Sequence, residues 1–140
     1  MKKLVRLAFV YAMAAIACGV FYREFTKLRG YAGVTALAFT HLHLFALGTL
    51  LFLVLGLYAE RTDLAGRKSF RVFLVLYNIG LPLMTVMFFV RGIPQALGAP
   101  LSGAVSAAVS GMAGVSHTLV TVALVFLFRG LSASAPRAGA

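Results

Sequence analysis

Three imidazoles interrupt a chain otherwise dominated by hydrocarbon. His41 and His43 stand near the start of the apolar stretch 37–58, and His117 lies inside the last apolar run. They are the only histidines present. A neutral imidazole ligates transition metals and haem iron, and it is the side chain that exchanges protons near neutral pH. Inside a membrane span such a group is costly unless it is paired. The function of the chain therefore turns on what these rings hold.

Spacing narrows the chemistry. Residues two apart on a helix point about 200° away from each other, so His41 and His43 do not converge on one ion. One ring is expected to face the bundle interior, the other a second helix or a second subunit. His117 belongs to a later, antiparallel span. An early ring and His117 can therefore approach one iron from opposite sides, as axial ligands of haem b do. Counted from the ends near Ala59 and Phe128, His43 lies sixteen residues along and His117 eleven. That is an offset of roughly 8 Å at ~1.5 Å per residue, against about 10 Å for His41. Helix tilt absorbs the smaller offset more readily.

Small residues add a second expectation. Gly48, seven positions after His41, and Ser110 and Gly111, ahead of His117, are expected to leave a notch opposite each ring. Such notches admit the edge of a porphyrin. Equally, they make room for imidazoles packed as interhelical glue, bonded to Thr40, Ser116, Thr118 or backbone carbonyls. Arg23 and Lys27, just beyond the first span, are candidates for neutralising haem propionates or a lipid phosphate. Met84, Met87 and Met112 are potential thioether ligands, although methionine in an apolar core is ordinarily filler.

These rings need elements to carry them, and composition decides which. The chain of 140 residues is 61% hydrophobic and 11% charged, with a mean hydropathy of +0.97. One soluble core of this size could not hide that much apolar surface. Four apolar runs, 4–22, 34–59, 70–90 and 104–128, each approach or exceed the ~20 residues that cross ~30 Å of hydrocarbon as a helix. They do not alternate in polarity as barrel strands do. The expectation is an all-α bundle of four transmembrane helices over residues 1–130, followed by a flexible tail, 131–140.

The net charge of +10 is a membrane signal and excludes nothing more than a nucleic-acid role. Nine cations, Lys2, Lys3, Arg6, Arg61, Arg67, Lys68, Arg71, Arg129 and Arg137, fall on one side of the four spans; four, Arg23, Lys27, Arg29 and Arg91, fall on the other. The positive-inside rule then places both termini in the cytoplasm, with the chain in a bacterial cytoplasmic membrane. Cys18 is the sole cysteine, so no internal disulfide forms. Residues 15–19 loosely resemble a lipoprotein acylation site at Cys18. Ala15 stands where a larger aliphatic residue is usual, and the segment reads better as a helix.

Within the spans, Ala8, Ala12, Ala15 and Gly19 share one face of helix 1, inviting close approach by a neighbour. Helix 1 is expected to end at 22–25. Tyr22, Phe25 and Tyr31 suit the interfacial belt, and Arg23 and Glu24 sit either there or turned inward as a pair. Helix 3 carries Asn78, Gly80 and Pro82. Pro82 is expected to bend it, Thr85 to recover part of the lost bonding, and residues 91–94 to stop it. Helix 4 opens with a face of Gly98, Gly103, Ser106, Ala107, Ser110, Gly111 and Gly114 that lets a backbone or a flat ligand come near.

No enzymatic constellation emerges. The three acidic residues, Glu24, Glu60 and Asp63, fall in connections. A proton-coupled transporter needs a carboxylate inside the bundle, and no acid is placed to orient His117 beside its serine for hydrolysis. A small oligomeric channel would have only His41, Thr40, Asn78 and Ser110 to line its path.

Two resemblances attach to these residues. The stretch 19–26 (Gly-Val-Phe-Tyr-Arg-Glu-Phe-Thr), with Thr40-His41-Leu42-His43 and His117-Thr118-Leu119, resembles a family of small four-helix bacterial membrane proteins of unknown function. That likeness covers almost the whole chain and implies topology more than activity. His41-x-His43-x-x-x-Leu47-Gly48 is similar, over about eight residues, to a motif of the subunit I-like superfamily of haem-copper oxidases, where an early helical histidine holds haem iron. It implies a b-type haem with His41 or His43 on one side and His117 on the other, for electron transfer or for gas or redox sensing. It does not imply oxygen reduction, because the oxidases use many more helices and further histidines. The competing expectation is an accessory subunit of a larger membrane complex, or a homo-oligomer, docking through the glycine-serine face of helix 4.

Overall fold

Nothing in residues 2–28 forbids a helix: there is no proline and only one glycine. The computed structural model, which describes residues 2–99 and 101–136, coils this segment into one helix, α1 (Lys2–Leu28). It runs past the expected end at 22–25. Thr26 bonds back to the Tyr22 carbonyl at 2.8 Å, and the first residue that can turn the chain is Gly30, at φ +61°. There the amides of Gly30 and Tyr31 close onto the carbonyls of Lys27 and Thr26, a glycine-terminated cap that consumes orphan carbonyls.

The second span, α2 (Ala38–Arg61), is helical throughout, but its middle, Leu44–Leu50, is wound as a wider π-helix. The Leu47 carbonyl within it accepts the Tyr77 hydroxyl at 3.0 Å. A short 3₁₀ turn, Leu64–Gly66, leads to α3 (Lys68–Ala96). Both Pro82 and Pro94 lie inside α3, so the stop expected at 91–94 is displaced to Gly98, at φ +65°. There Gly98 and Ala99 bond to the carbonyls of Gln95 and Pro94. In an apolar medium each broken backbone bond is expensive, so a helix tends to continue through a proline instead of unravelling. The Thr85 hydroxyl bonds the Leu81 carbonyl at 3.0 Å; the carbonyl that Pro82 deprives of its donor belongs to Asn78, which Thr85 does not reach. The last span is α4 (Gly103–Ala133). All four helices are long and apolar enough to cross a membrane, and the chain is an all-α bundle of four such helices.

α1 packs mainly on α2, and α4 mainly on α3. Glycines and alanines set the first contact: Gly56 sits under Leu4 and Val5, Gly48 under Tyr11, and Gly19 under His41. Gly80 admits Leu119 and Val120 to the second. The two pairs join through aromatic rings, Tyr11, Phe52, Phe73, Tyr77 and Phe70, in successive contacts of 4.9–6.2 Å. Phe52, Phe73, Tyr77 and Leu81 are wholly buried. This cement lies toward the cation-rich end of the bundle. Toward the opposite end α4 is broadly exposed, and a groove opens between the helices.

At the cation-rich end the C-terminal segment is tied down. The expected tail begins as helix, through Ala133. Ser134 then meets the Tyr58 hydroxyl at 3.0 Å, and Asp63 and Ala135 exchange two bonds, amide to carbonyl at 3.1 Å and amide to carboxylate at 2.9 Å. Residues 137–140, and with them the cation Arg137, lie outside the described residues. The Ala135 amide holds the Asp63 carboxyl below its ordinary range, and the Arg67 guanidinium, at 2.6 Å, adds to this. A carboxylate depressed on folding contributes stability above its unfolded pKa and loses it as pH falls through the folded one. Amide exchange at Ala135 is therefore expected to quicken as pH falls below the ordinary carboxylate range, after correction for intrinsic rates. Asp63→Asn should show the fast rate throughout and no pH step.

Candidate functional site

The structure separates the two early rings as their spacing requires. His41 turns toward α1, where the backbone of Gly19 leaves room for it: a Cβ there would stand 3.6 Å from the imidazole's own Cβ. Its Nδ1 is buried and has no hydrogen-bond partner among the described residues, and neither has the neighbouring Thr40 hydroxyl. His43 turns toward α3, its ring 4.8 Å from that of Phe88 and steeply inclined to it. His117 is exposed on α4 and lines a groove of about 360 Å³ with Ala36, Phe39, Met84, Phe88 and Arg91. Phe88 is thus the ring common to both: it lines the groove beside His117 and stands against His43. His41 has no part in this place.

His43 and His117 share a local geometry. Each Nδ1 lies 2.8 Å from the carbonyl four residues earlier, Phe39 and Ala113 respectively. A carbonyl can only accept, so a neutral ring must carry its proton on Nδ1. The Nε2 lone pair is then free. Metal-bound histidines are commonly oriented by such a bond from the other ring nitrogen. The hydroxyls expected to hold the rings do other things: Ser116 and Thr118 bond the carbonyls of Ala113 and Gly114.

The expected notch at Gly48 is closed, whereas Ser110 lines the groove beside His117. Gly48 is filled by Tyr11, whose ring would lie 2.5 Å from an added Cβ. Tyr11 is held there by the Asn78 side chain at 2.8 Å and by stacking on Phe52. Ser110 is engaged by Arg91 at 2.7 Å; Gly111 faces open space. Arg23 and Lys27 stand on α1, away from the groove. Arg23 pairs with Glu24 at 2.7 Å, well exposed, so that pair is not turned inward. Among the described residues no three of His, Cys, Asp and Glu gather as a metal cluster. Cys18, half-buried midway along α1, lines a separate apolar groove of about 380 Å³ with Tyr11 and Asn78. Asn78 and Ser110, two of the residues a channel would need, thus line different grooves.

Sequence reasoning overlooked Arg91, Phe88 and Phe39. Arg91 counted only as a loop cation, because an apolar run that ends on Arg-Gly-Ile-Pro looks finished there. The helix instead carries Arg91 along the wall of the groove.

A family model described as a protein of unknown function (DUF2871) matches residues 1–134. The chain belongs to this family. Comparison with curated proteins and with solved structures gave no match. Membership in DUF2871 brings no activity, so the function must be argued from the groove.

Proposed function

We propose that this DUF2871 member is a small haem-binding protein of the bacterial cytoplasmic membrane, holding a b-type haem by His43 and His117. The observation that carries the reading is the shared posture of these two rings. Both have Nδ1 committed to a backbone carbonyl and Nε2 free, and Phe88 stands against the one and lines the groove of the other. The donor set fits an iron that takes two neutral imidazoles. Phe88 lines the groove beside His117 and stands against the His43 ring, so a flat ligand held by both imidazoles requires Phe88 to turn aside. The likeness of the motif at His41, His43, Leu47 and Gly48 to the subunit I-like superfamily of haem-copper oxidases supports the same reading, with His43 and not His41 as the ligand. The π-helix directly after His43 supports it too, because such windings recur at functional sites.

Held by both His43 and His117, a haem would supply one-electron transfer between partners in the membrane. Ligation by one ring alone would leave a position for a small gas. The cation bias of the loops supports cytoplasmic termini, and with them a groove toward the outer leaflet. The full chain, purified in detergent from a haem-sufficient host, is expected to show a Soret band that carbon monoxide does not shift in the reduced state. A shift would convert the reading to gas binding; a colourless protein that takes up no added haem removes it.

A second reading rests on the outward face of α4. Gly103, Gly111 and Gly114 have nothing within 4 Å of an added Cβ, and His117, Thr118 and Thr121 are exposed beside them. Polar groups facing lipid argue for a covering helix. In that reading the chain is an accessory subunit, and Gly111→Leu releases a co-purifying partner from colourless material.

A further inference from the structure

Among the described residues Arg91 is a cation without an anion. The chain has three acidic residues; Glu24 is paired with Arg23, Asp63 with Arg67, and Glu60 lies at the far, cation-rich end of α2. The half-buried Arg91 guanidinium meets only neutral acceptors there, the Ser110 hydroxyl at 2.7 Å and the Ser106 carbonyl at 3.3 Å, both from one terminal nitrogen. Its remaining N–H donors are left for a ligand. Depth says what they meet. Arg91 stands twenty-three positions after Lys68, the first residue of α3. That is ~35 Å of helix, against ~30 Å of hydrocarbon. With Lys68 at one boundary of the membrane, Arg91 reaches the other, where lipid phosphates lie.

Two spaces meet at this guanidinium. On one side is a small cavity of about 130 Å³, lined also by Gln95, Leu101 and Ser106. The Gln95 side chain is fixed there by the Ala36 amide at 2.8 Å. On the other side the groove of about 360 Å³ runs from Arg91 past Met87, Met84, Val109 and Ala113 to His117. It covers seven positions of α3 and eight of α4, roughly 10–12 Å at ~1.5 Å per residue. One leaflet's share of the hydrocarbon is roughly 15 Å. The groove is therefore mostly apolar, parallel to the helices, and charged at its membrane-boundary end. An extended acyl chain follows it with Phe88 where it stands. A guanidinium pairs with phosphate oxygens through parallel, charge-assisted bonds. We infer that Arg91 and this groove form a site for one anionic phospholipid, with the headgroup phosphate on the guanidinium and one acyl chain laid along the groove toward His117. The inference goes beyond the haem reading and needs no part of it.

Native mass spectrometry of the purified, haem-free full chain, titrated with phosphatidylglycerol or with phosphatidylcholine of the same chains, tests the site. The unaltered protein is expected to bind phosphatidylglycerol about tenfold more tightly, the scale of one bond to a charged group. Arg91→Gln should abolish that preference and leave phosphatidylcholine binding unchanged, which reports an intact groove. Arg29→Gln removes a cation at the same end of the bundle, one that lies over the Phe25 ring at 5.7 Å and outside the groove. It should keep the preference. Ala113→Phe, shown by circular dichroism to be folded, fills the groove without touching the charge and should weaken both lipids alike. An undiminished preference in Arg91→Gln, an equal loss in Arg29→Gln, or full affinity in Ala113→Phe overturns the site. Displacement of the lipid by glycerol phosphate, which would mark a free-phosphate site, or by equimolar laurate, which would mark a fatty-acid site, overturns it too. Failure to take up haem with the preference intact removes the haem reading alone; haem uptake without the preference removes the lipid site alone.

Discussion

Haem binding is expected to weaken at least ~100-fold in His117→Ala and in His43→Ala, about 2.8 kcal/mol at 1.4 kcal/mol per decade, and to survive in His41→Ala. The three histidines differ in what they face, not in type. His41 lies against Gly19 on α1, with its Nδ1 buried and unpartnered. Truncating it removes a buried orphan and leaves α2 and α3 in register around Phe88. His43 stands against Phe88 of α3 and His117 lines the groove with it, the orientation of each ring already set by a 2.8 Å bond. Loss of either would remove one of the two residues proposed to hold the haem, and the Soret band should shift before haem is lost. Phe88→Ala sharpens the test in the opposite sense. It removes the ring that stands between groove and imidazole, so haem uptake should become faster. Titration of added haem, followed by absorbance and by helicity to confirm folding, measures all four variants. Equal loss in all three histidine variants, or retention in His117→Ala, is incompatible with ligation by His43 and His117.

The four spans were legible because hydrocarbon length is a coarse requirement that composition meets or fails. Helix ends were less so. The sequence places turning points at Tyr22 and Arg91, where the apolar runs stop, yet both helices continue to a glycine that can adopt positive φ, Gly30 and Gly98. Polarity marks the membrane boundary; backbone conformation marks the end of a helix. The opposed directions of His41 and His43 follow from helical period alone, and the structure adds only which faces α1. The partner of each glycine could not be read, since a notch in sequence does not say what fills it. Gly48 holds Tyr11 because Asn78, thirty positions further along the chain, fastens the phenol. Arg91 was misread for a related reason: a cation at the end of an apolar run looks solvated until the neighbouring helix is seen to supply Ser106 and Ser110.

That fastening makes Gly48 a position where one added methyl group should cost stability. A Cβ added there would stand 2.5 Å from Tyr11 Cγ, 2.6 Å from its Cβ and 2.8 Å from Cδ1. These are root atoms of the side chain, so no swing of a flexible end relieves the clash. Tyr11 cannot rotate away without losing its 2.8 Å bond to Asn78 and its stack on Phe52, at 5.7 Å between centroids. α1 and α2 must then separate along the face that Ala8 and Ala15 otherwise bury. Overpacking of this kind costs about 1–3 kcal/mol, and the lost phenol bond adds about 1 kcal/mol. Gly111→Ala is the matched control, with open space around its Cβ. There the alanine should stabilise by roughly 0.5–1 kcal/mol, because glycine is the poorer helix former. Denaturant titration of detergent-solubilised protein, followed by far-ultraviolet circular dichroism, should therefore move the two midpoints in opposite directions. If Gly48→Ala unfolds where Gly111→Ala does, Tyr11 does not seat against α2, and the packing of the first two helices is wrong.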